Sequence, residues 1–256
     1  MGIVRTNQWL EEEFDRPTKI CEKLLPYFKG YTANEIYQQL VSFGMYKPSR
    51  SSKFIFDIMI KENIWNQVEK LFQHYQKKWS GPNIPIFLFP IAQSGGFFFR
   101  MEKNKSGVSY PDKMFLFLSP LDDSKELEAL FVHEYHHVCR LSKLNKKMNQ
   151  YTLLDSIIIE GLAEYAVLKN CGRNYTANWC HMYTDQEIKG LWKRYLNDQL
   201  DRKKNERVHD QLLYGGGRIP KLLGYAAGYQ IVEEYYESHH YSTKQSFTIP
   251  SSKFIE

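Results

Sequence analysis

The spacing of apolar positions predicts helices over most of the chain. From Trp9 to about Phe43, apolar residues recur every three or four positions, with breaks at Pro26 and Gly30. The same period runs through residues 54–79 and predicts one long helix there. A mostly helical protein is therefore expected.

A polar segment at 47–53, with one proline and three serines, follows the first helical block. Before it, Asn34 is a candidate N-cap and Gly44 a candidate helix end. We expect residues 1–50 to form an N-terminal helical extension and residues 51–256 the main domain, although the two could be one continuous domain.

The pattern changes after the long helix, where short β-prone runs are separated by turn residues. These runs predict a small mixed or antiparallel sheet, and hence an α+β fold. An edge strand beside the next helix could hold an extended peptide, and Gly107 and Ser109, in a predicted loop, would lie near it. The predicted strands cover 84–92, 97–101 and 113–120.

The next helix carries metal-ligating residue types beside its apolar face. Glu134 falls near the middle of the apolar stripe, His133 and His137 lie at its edge, and His136 and Arg140 are expected to point elsewhere. Residues four apart project side by side, which suits two imidazole nitrogens about 2.0–2.1 Å from one zinc ion. Glu134 would then reach a water on the metal. The stripe consists of Leu127, Leu130, Phe131, Val138, Leu141 and Leu144.

A third ligand is expected from the segment at 153–169. Glu160 ends an apolar run of three isoleucines, where an unpaired carboxylate would be costly. Glu164 lies on the same helical face and could accept the free N–H of a ligand histidine. Gly161 would let another helix approach closely. The alternatives are two acids on the wet side of the helix, or a buried polar network without metal.

Composition narrows the class of protein. The chain has 256 residues, of which 43% are apolar, and a mean hydropathy of −0.52, which is typical of a globular protein. It contains no apolar run long enough to span a bilayer. A net charge of +5, spread along the chain, gives nucleic-acid binding little support. Four cysteines without a C-x-x-C pair, and no export signal, predict free thiols and a cytoplasmic location.

The motifs HEYHH and EGLAEYA, with FLSP before them and GYAAGYQIV after them, resemble a known family. It is the bacterial family of predicted zinc-dependent proteases with a DUF2268 domain, the YjaZ-like proteins, within the wider gluzincin group of HExxH metallopeptidases. The resemblance covers roughly residues 84–256. One departure is that 22 residues separate His137 from Glu160, more than in the better-known gluzincin branches.

The resemblance implies a thermolysin-like core in which His133, His137 and Glu160 bind Zn²⁺. Glu134 would be the general base of peptide hydrolysis, and Glu164 would support the ligands. A peptide or protein would be the substrate, and the oligomeric state is open.

The oxyanion of such a reaction needs a second donor besides the metal. Tyr225 and Tyr229, on one helical face beside Gly224 and Gly228, are candidate catalytic residues. The other candidates lie upstream of that segment. They are His209, Tyr214 and Arg218.

Two other functions fit parts of the pattern. A non-catalytic zinc site could serve a peptide- or partner-binding module. A di-iron carboxylate bundle could use the E-x-x-H pairs Glu134/His137 and Glu237/His240. The β-prone segments and the presence of His133 argue against the bundle.

Overall fold

The computed structural model describes residues 2–92 and 104–256, so the strand predicted at 97–101 lies outside the described residues. The described part is mostly helical with one small mixed sheet, which confirms the α+β class. The α-helices are α1 Thr6–Glu13, α2 Pro17–Glu22, α3 Ala33–Phe43, α4 Arg50–Lys61, α5 Ile64–Trp79, α6 Ser124–Leu144, α7 Leu153–Cys171, α8 Asp185–Leu191, α9 Arg207–Tyr214, α10 Leu223–Ser238 and α11 Thr243–Ser246.

The sheet has four strands in the described residues, in the order β1-β2-β4-β3. β1–β2 and β2–β4 are parallel, and β3–β4 is antiparallel. Every residue of the central strands β2 and β4 is buried, as expected for apolar runs covered on both faces. The strands are β1 Gly2–Ile3, β2 Pro85–Pro90, β3 Lys105–Ser109 and β4 Met114–Leu118.

β3 corrects a prediction made from the sequence. The segment around Gly107 was expected to be a loop, because it is polar and contains glycine and serine. It is instead a strand at the edge of the described sheet, half-buried along its length, whose Gly107 pairs with Leu116 of β4. A strand at the edge can be polar because its side chains stay partly exposed to solvent.

The single helix predicted over 54–79 was also wrong, since α4 and α5 are separate helices. Asn63, between them, has a left-handed backbone with φ 56°, which cannot continue a right-handed helix. Met59 and Ile64 are buried on either side of this break. Apolar periodicity therefore predicted which side chains are buried but could not predict the break in the helix at Asn63.

The first helices also differ from the expected pattern at one terminus. Thr32, and not Asn34, caps α3, in a reciprocal capping box with Glu35. Gly44 ends α3 with φ 122°, as predicted. Glycine suits that position because its lack of a Cβ permits positive φ.

The chain divides into two compact units, Met1–Val138 and Cys139–Glu256, with the boundary inside α6. The first unit contains the sheet and α1–α5, and the second contains α7–α11. The division into residues 1–50 and 51–256 stays a prediction.

In the second unit, α7 and α10 cross at two glycines. A Cβ on Gly161 would lie 2.1 Å from the carbonyl oxygen of Gly228, and a Cβ on Gly228 would lie 2.1 Å from the carbonyl oxygen of Ile157. The close approach expected at Gly161 is thus confirmed, with α10 as the partner. Gly224 similarly faces the backbone of Leu213 in α9.

Two broader expectations concern the membrane and the thiols. Within the described residues, none of the helices has both the length and the apolar character that crossing a bilayer requires. The four cysteines are buried and form no disulfide in the described structure. Burial raises the pKa of the Cys21 thiol to about 12. The cytoplasmic location stays a prediction.

Candidate metal centre

The centre of α6 is enclosed by protein on nearly all sides. From Ala129 to Arg140 every residue is buried except His133, which is half-buried. His136 and Arg140, expected to point away from the apolar face, are fully buried as well. An amphipathic stripe predicts burial of one helix face only, so it could not indicate that the other faces are buried as well.

His133 and His137 face each other one turn apart on α6. Their Nε2 atoms are 2.9 Å apart, and the ring planes lie at 88°. Glu160 completes a group in which one ligand atom from each residue lies within 4.8 Å of the others. Three residues expected to bind a metal are therefore brought together.

The donor set fits zinc. Two imidazole nitrogens and one carboxylate oxygen are the ligands of a catalytic His₂Glu zinc site, which leaves the fourth position open. Two nitrogens bound tetrahedrally at zinc distances are about 3.3 Å apart, close to the 2.9 Å between the two histidines. His133 and Glu160 are partly exposed, so water can reach the group.

Glu134 is buried beside the histidines and is held by the edge strand. Ser109 Oγ lies 2.6 Å from Glu134 Oε2 and 2.9 Å from the backbone oxygen of Glu134. Gly107 packs against the same side chain, since a Cβ there would lie 2.5 Å from Glu134 Cδ. The carboxylate therefore lies outside the ligand group and is fixed by β3. The sequence had indicated only that Ser109 would lie near an edge strand, and the contact with Glu134 was not predicted.

Glu164 is buried one turn after Glu160 on α7. Its Oε1 accepts a hydrogen bond of 2.5 Å from the backbone N–H of Ala177. This contact ties α7 to the loop that follows it. The expectation that Glu164 orients a ligand histidine stays a prediction.

The two tyrosines singled out on α10 are both buried. Tyr225 packs against the rings of Trp179 and Tyr214. The Tyr229 hydroxyl donates to Glu233 Oε1 at 3.2 Å. Burial, followed by the Glu233 carboxylate, raises the pKa of Tyr229 above its usual range. Their catalytic assignment stays a prediction.

Helix α9 places two polar side chains against the Glu160 region of the second unit. Burial raises the pKa of Tyr214, and the charge of Glu160 raises it further. The Tyr214 side chain is also hydrogen-bonded to Tyr225. His209, fully buried, lies with Nε2 2.9 Å from Ser156 Oγ of α7. Tyr214 was one of several aromatic candidates in the sequence, and its position near Glu160 depends on how α9 packs.

Arg218 and the E-x-x-H pair Glu237/His240 lie outside this group. Among the residues that the structure describes, His133, His137 and Glu160 are the group of three or more that could hold a metal. Glu237 and His240 are both exposed. The di-iron arrangement therefore gains no support from the described residues.

Known proteins similar to this chain include a family described by the same metal. Residues 64–256 match the family model described as a predicted Zn-dependent protease, DUF2268. The chain belongs to the DUF2268 family. Uncharacterized protein YjaZ of Bacillus subtilis (strain 168) is 35% identical, in an alignment that covers 100% of this chain and 99% of YjaZ. Uncharacterized protein YjfC of the same organism is 23% identical over 50% of this chain and 46% of YjfC.

The extent of these matches revises the expected boundary. The DUF2268 match begins at residue 64, the first residue of α5, and the similarity to YjaZ extends through the N-terminal helices. The sequence had suggested a resemblance over roughly residues 84–256 alone. No solved structure matches this DUF2268 chain significantly.

Proposed function

We propose that this protein is a zinc-dependent peptide hydrolase with a thermolysin-like, gluzincin-type site. The observation that carries the proposal is the convergence of His133, His137 and Glu160, with Glu134 held beside them. The family description, a predicted Zn-dependent protease, supports the same metal and reaction class. The thermolysin-like core and a cytoplasmic location are parts of this proposal.

Each residue of the site has a role in this proposal. His133, His137 and Glu160 would hold the ion, which when bound lowers the pKa of a coordinated water and polarises the substrate carbonyl. Glu134 would accept the proton of the attacking water and deliver it to the leaving amine. Its burial keeps this carboxylate in one place, so that little reorganisation is needed during the reaction.

The edge strand β3 suits an extended peptide substrate. The backbone pairs Tyr110–Lys113 and Asn104–Ser119 are hydrogen-bonded at the two ends of β3. Since bonding alternates along an antiparallel pair, the backbone groups of Gly107 and Ser109 point away from β4. Within the described sheet that side of β3 has no further strand. A peptide could pair there by backbone hydrogen bonds.

The second oxyanion donor is proposed among the tyrosines of α9 and α10. Tyr229 donates to Glu233. Tyr225 is hydrogen-bonded to Tyr214, whose pKa the Glu160 charge raises. In this proposal Tyr225 and Tyr214 are therefore favoured over Tyr229.

The first test replaces the proposed base. We expect Glu134→Gln to retain one zinc per chain, measured by mass spectrometry, and to lose cleavage of a mixed peptide library by at least about 100-fold, since base catalysis contributes about 10²–10⁴. Glu128→Gln is the matched control, because Glu128 lies on the same helix and accepts from Tyr75. It should cleave like the parent.

The outcomes separate the candidate functions. Zinc in the parent with cleavage that Glu134→Gln abolishes supports the hydrolase. Unchanged cleavage in Glu134→Gln removes the mechanism. One zinc per chain without cleavage of any peptide indicates a binding module, and two irons per chain indicate the bundle.

A further inference from the structure

Glu134 makes two contacts with β3 that the reaction scheme above does not require. We propose that Ser109 is a positioning residue that fixes the carboxylate of Glu134, and that Gly107 provides the space for it. This inference rests on the proposed function, because positioning matters only if Glu134 acts on a bound water.

The hydroxyl of Ser109 has one proton and two acceptors within reach. Glu134 Oε2 is at 2.6 Å and the backbone oxygen of Glu134 is at 2.9 Å. A hydrogen bond to a carboxylate is shorter and stronger than one to a neutral carbonyl, so Oε2 is the favoured acceptor. Oε1 has no hydrogen bond within the described residues and is the oxygen that can face a water molecule.

Gly107 is explained by the same side chain. A Cβ at this position would lie 2.5 Å from Glu134 Cδ and 2.6 Å from Oε1, closer than real contacts allow. The backbone of Gly107 is ordinary strand, so an alanine would meet no backbone strain there. An alanine at position 107 would therefore push the Glu134 carboxylate out of its place, whereas glycine leaves room for it.

β3 thereby joins the proposed base to the proposed substrate edge. Gly107 and Ser109 contact Glu134, and the backbone groups of the same two residues point away from β4. A peptide paired with this edge would be held in a fixed register relative to the carboxylate. Reaction geometry depends on such registers, and a misplacement of about 1 Å can cost about 100-fold in rate.

Ser106, on the same strand, provides a matched comparison. Its hydroxyl donates to the backbone oxygen of Phe43 at 2.8 Å, and alternation along the strand places it on the opposite face from Ser109. Replacing either serine by alanine removes one hydroxyl hydrogen bond of β3, but only one of the two bonds reaches Glu134.

The experiment compares Ser109→Ala, Ser109→Thr and Ser106→Ala as zinc-loaded enzymes. The substrate is a peptide that the parent cleaves in the mixed library. We expect Ser109→Ala to lower kcat about tenfold or more with KM within about twofold, and Ser109→Thr to restore kcat, because threonine keeps the hydroxyl. Ser106→Ala should match the parent.

A second readout does not depend on activity. Crystal structures of the metal-free parent and of Ser109→Ala would give the position of the Glu134 carboxylate. We expect one position in the parent and in Ser109→Thr, and a shifted or divided one in Ser109→Ala. If the parent cleaves no peptide, the proposed function fails, while the crystallographic comparison still decides whether Ser109 fixes the Glu134 carboxylate.

The inference is overturned if Ser109→Ala keeps both the parent kcat and the parent position of Glu134. It is also overturned if Ser106→Ala lowers kcat as much as Ser109→Ala does, since the strand as a whole would then be responsible. Failure of Ser109→Thr to restore kcat would likewise exclude the hydroxyl as the cause.

Discussion

Glu160 is the residue on which the metal proposal depends most, because it comes from a different helix than the two histidines. It follows the buried Ile157 and Ile158, yet is itself partly exposed within the ligand group. A bound cation would stabilise this carboxylate, which in turn would contribute the negative charge that two neutral imidazoles lack.

Removal of this carboxylate should therefore weaken zinc binding. We expect Glu160→Gln to lose zinc affinity by at least about 100-fold, because loss of even an outer-shell partner costs about 10–100-fold. Competition with a chelator measures the change. Glu237→Gln, at an exposed site on α10, is the control and should bind zinc like the parent. Equal affinity in Glu160→Gln and the parent would exclude Glu160 as a ligand.

Among the elements, α7 and α10 are the pair whose packing depends most directly on glycine. The backbones meet at Gly161 and Gly228 with no room for a Cβ on either residue. The obstructing atoms are main-chain atoms, which cannot rotate away as a side chain could. Glu160 is adjacent to Gly161, so this crossing also positions the proposed ligand.

Alanine at the crossing should separate these helices. We expect Gly161→Ala to lower the free energy of unfolding by about 1–3 kcal/mol, as overpacking does. Gly190→Ala is the matched control, because Gly190 lies in α8 with open space around it. It should be neutral or stabilising by up to about 1 kcal/mol, since alanine favours helix over glycine. Urea denaturation of the metal-free protein measures both, and equal stabilities would contradict the packing argument.

The end of α6 is tied to the C-terminal segment by a buried guanidinium. Arg140 donates to the backbone oxygens of Ser246 and Ile249, and to Ser251 Oγ. Ser251 Oγ in turn donates to Asp155 Oδ1 at 2.7 Å. Burial lowers the pKa of Arg140 to about 10, which leaves it charged at neutral pH. The charge is thus balanced through Ser251 by the acid at the start of α7.

At the scale of the whole molecule, Asp155 links stability to pH. Burial alone would raise the pKa of its carboxyl, but hydrogen bonds from Lys146, Ser251 and Thr152 outweigh burial and hold the pKa below its usual value. A group with a lowered folded-state pKa contributes stability above its unfolded pKa, about 3.9, and loses it as the pH falls through the folded value.

Removal of this charge should flatten the acid side of the stability profile. We expect Asp155→Asn to be less stable than the parent by about 1–3 kcal/mol at pH 7, because hydrogen bonds to a charged group are lost. The difference should shrink between pH 5 and pH 3. Denaturant unfolding of the metal-free protein at several pH values measures it. Asp57→Asn, on the exposed side of α4, is the control. A difference that stays constant down to pH 3 would contradict this account.

The features that could be predicted from the sequence are those that depend on local spacing. The i, i+4 histidines, the intervening Glu134 and the acid after three isoleucines identified the group that the structure brings together. Apolar periodicity identified the helical character, and β-prone runs identified the central strands. These features are predictable because helix and strand geometry repeats over a few residues.

Contacts between residues far apart in the sequence could be found only in the folded structure. Ser109 meets Glu134 across 25 positions, and Arg140 meets Ser251 across 111. The left-handed Asn63 that divides α4 from α5 was likewise invisible in the apolar pattern. Such contacts depend on how complete elements pack, which no repeat of a few residues encodes. The proposed ligands could therefore be predicted from the sequence, whereas the residues that surround them could be identified only from the fold.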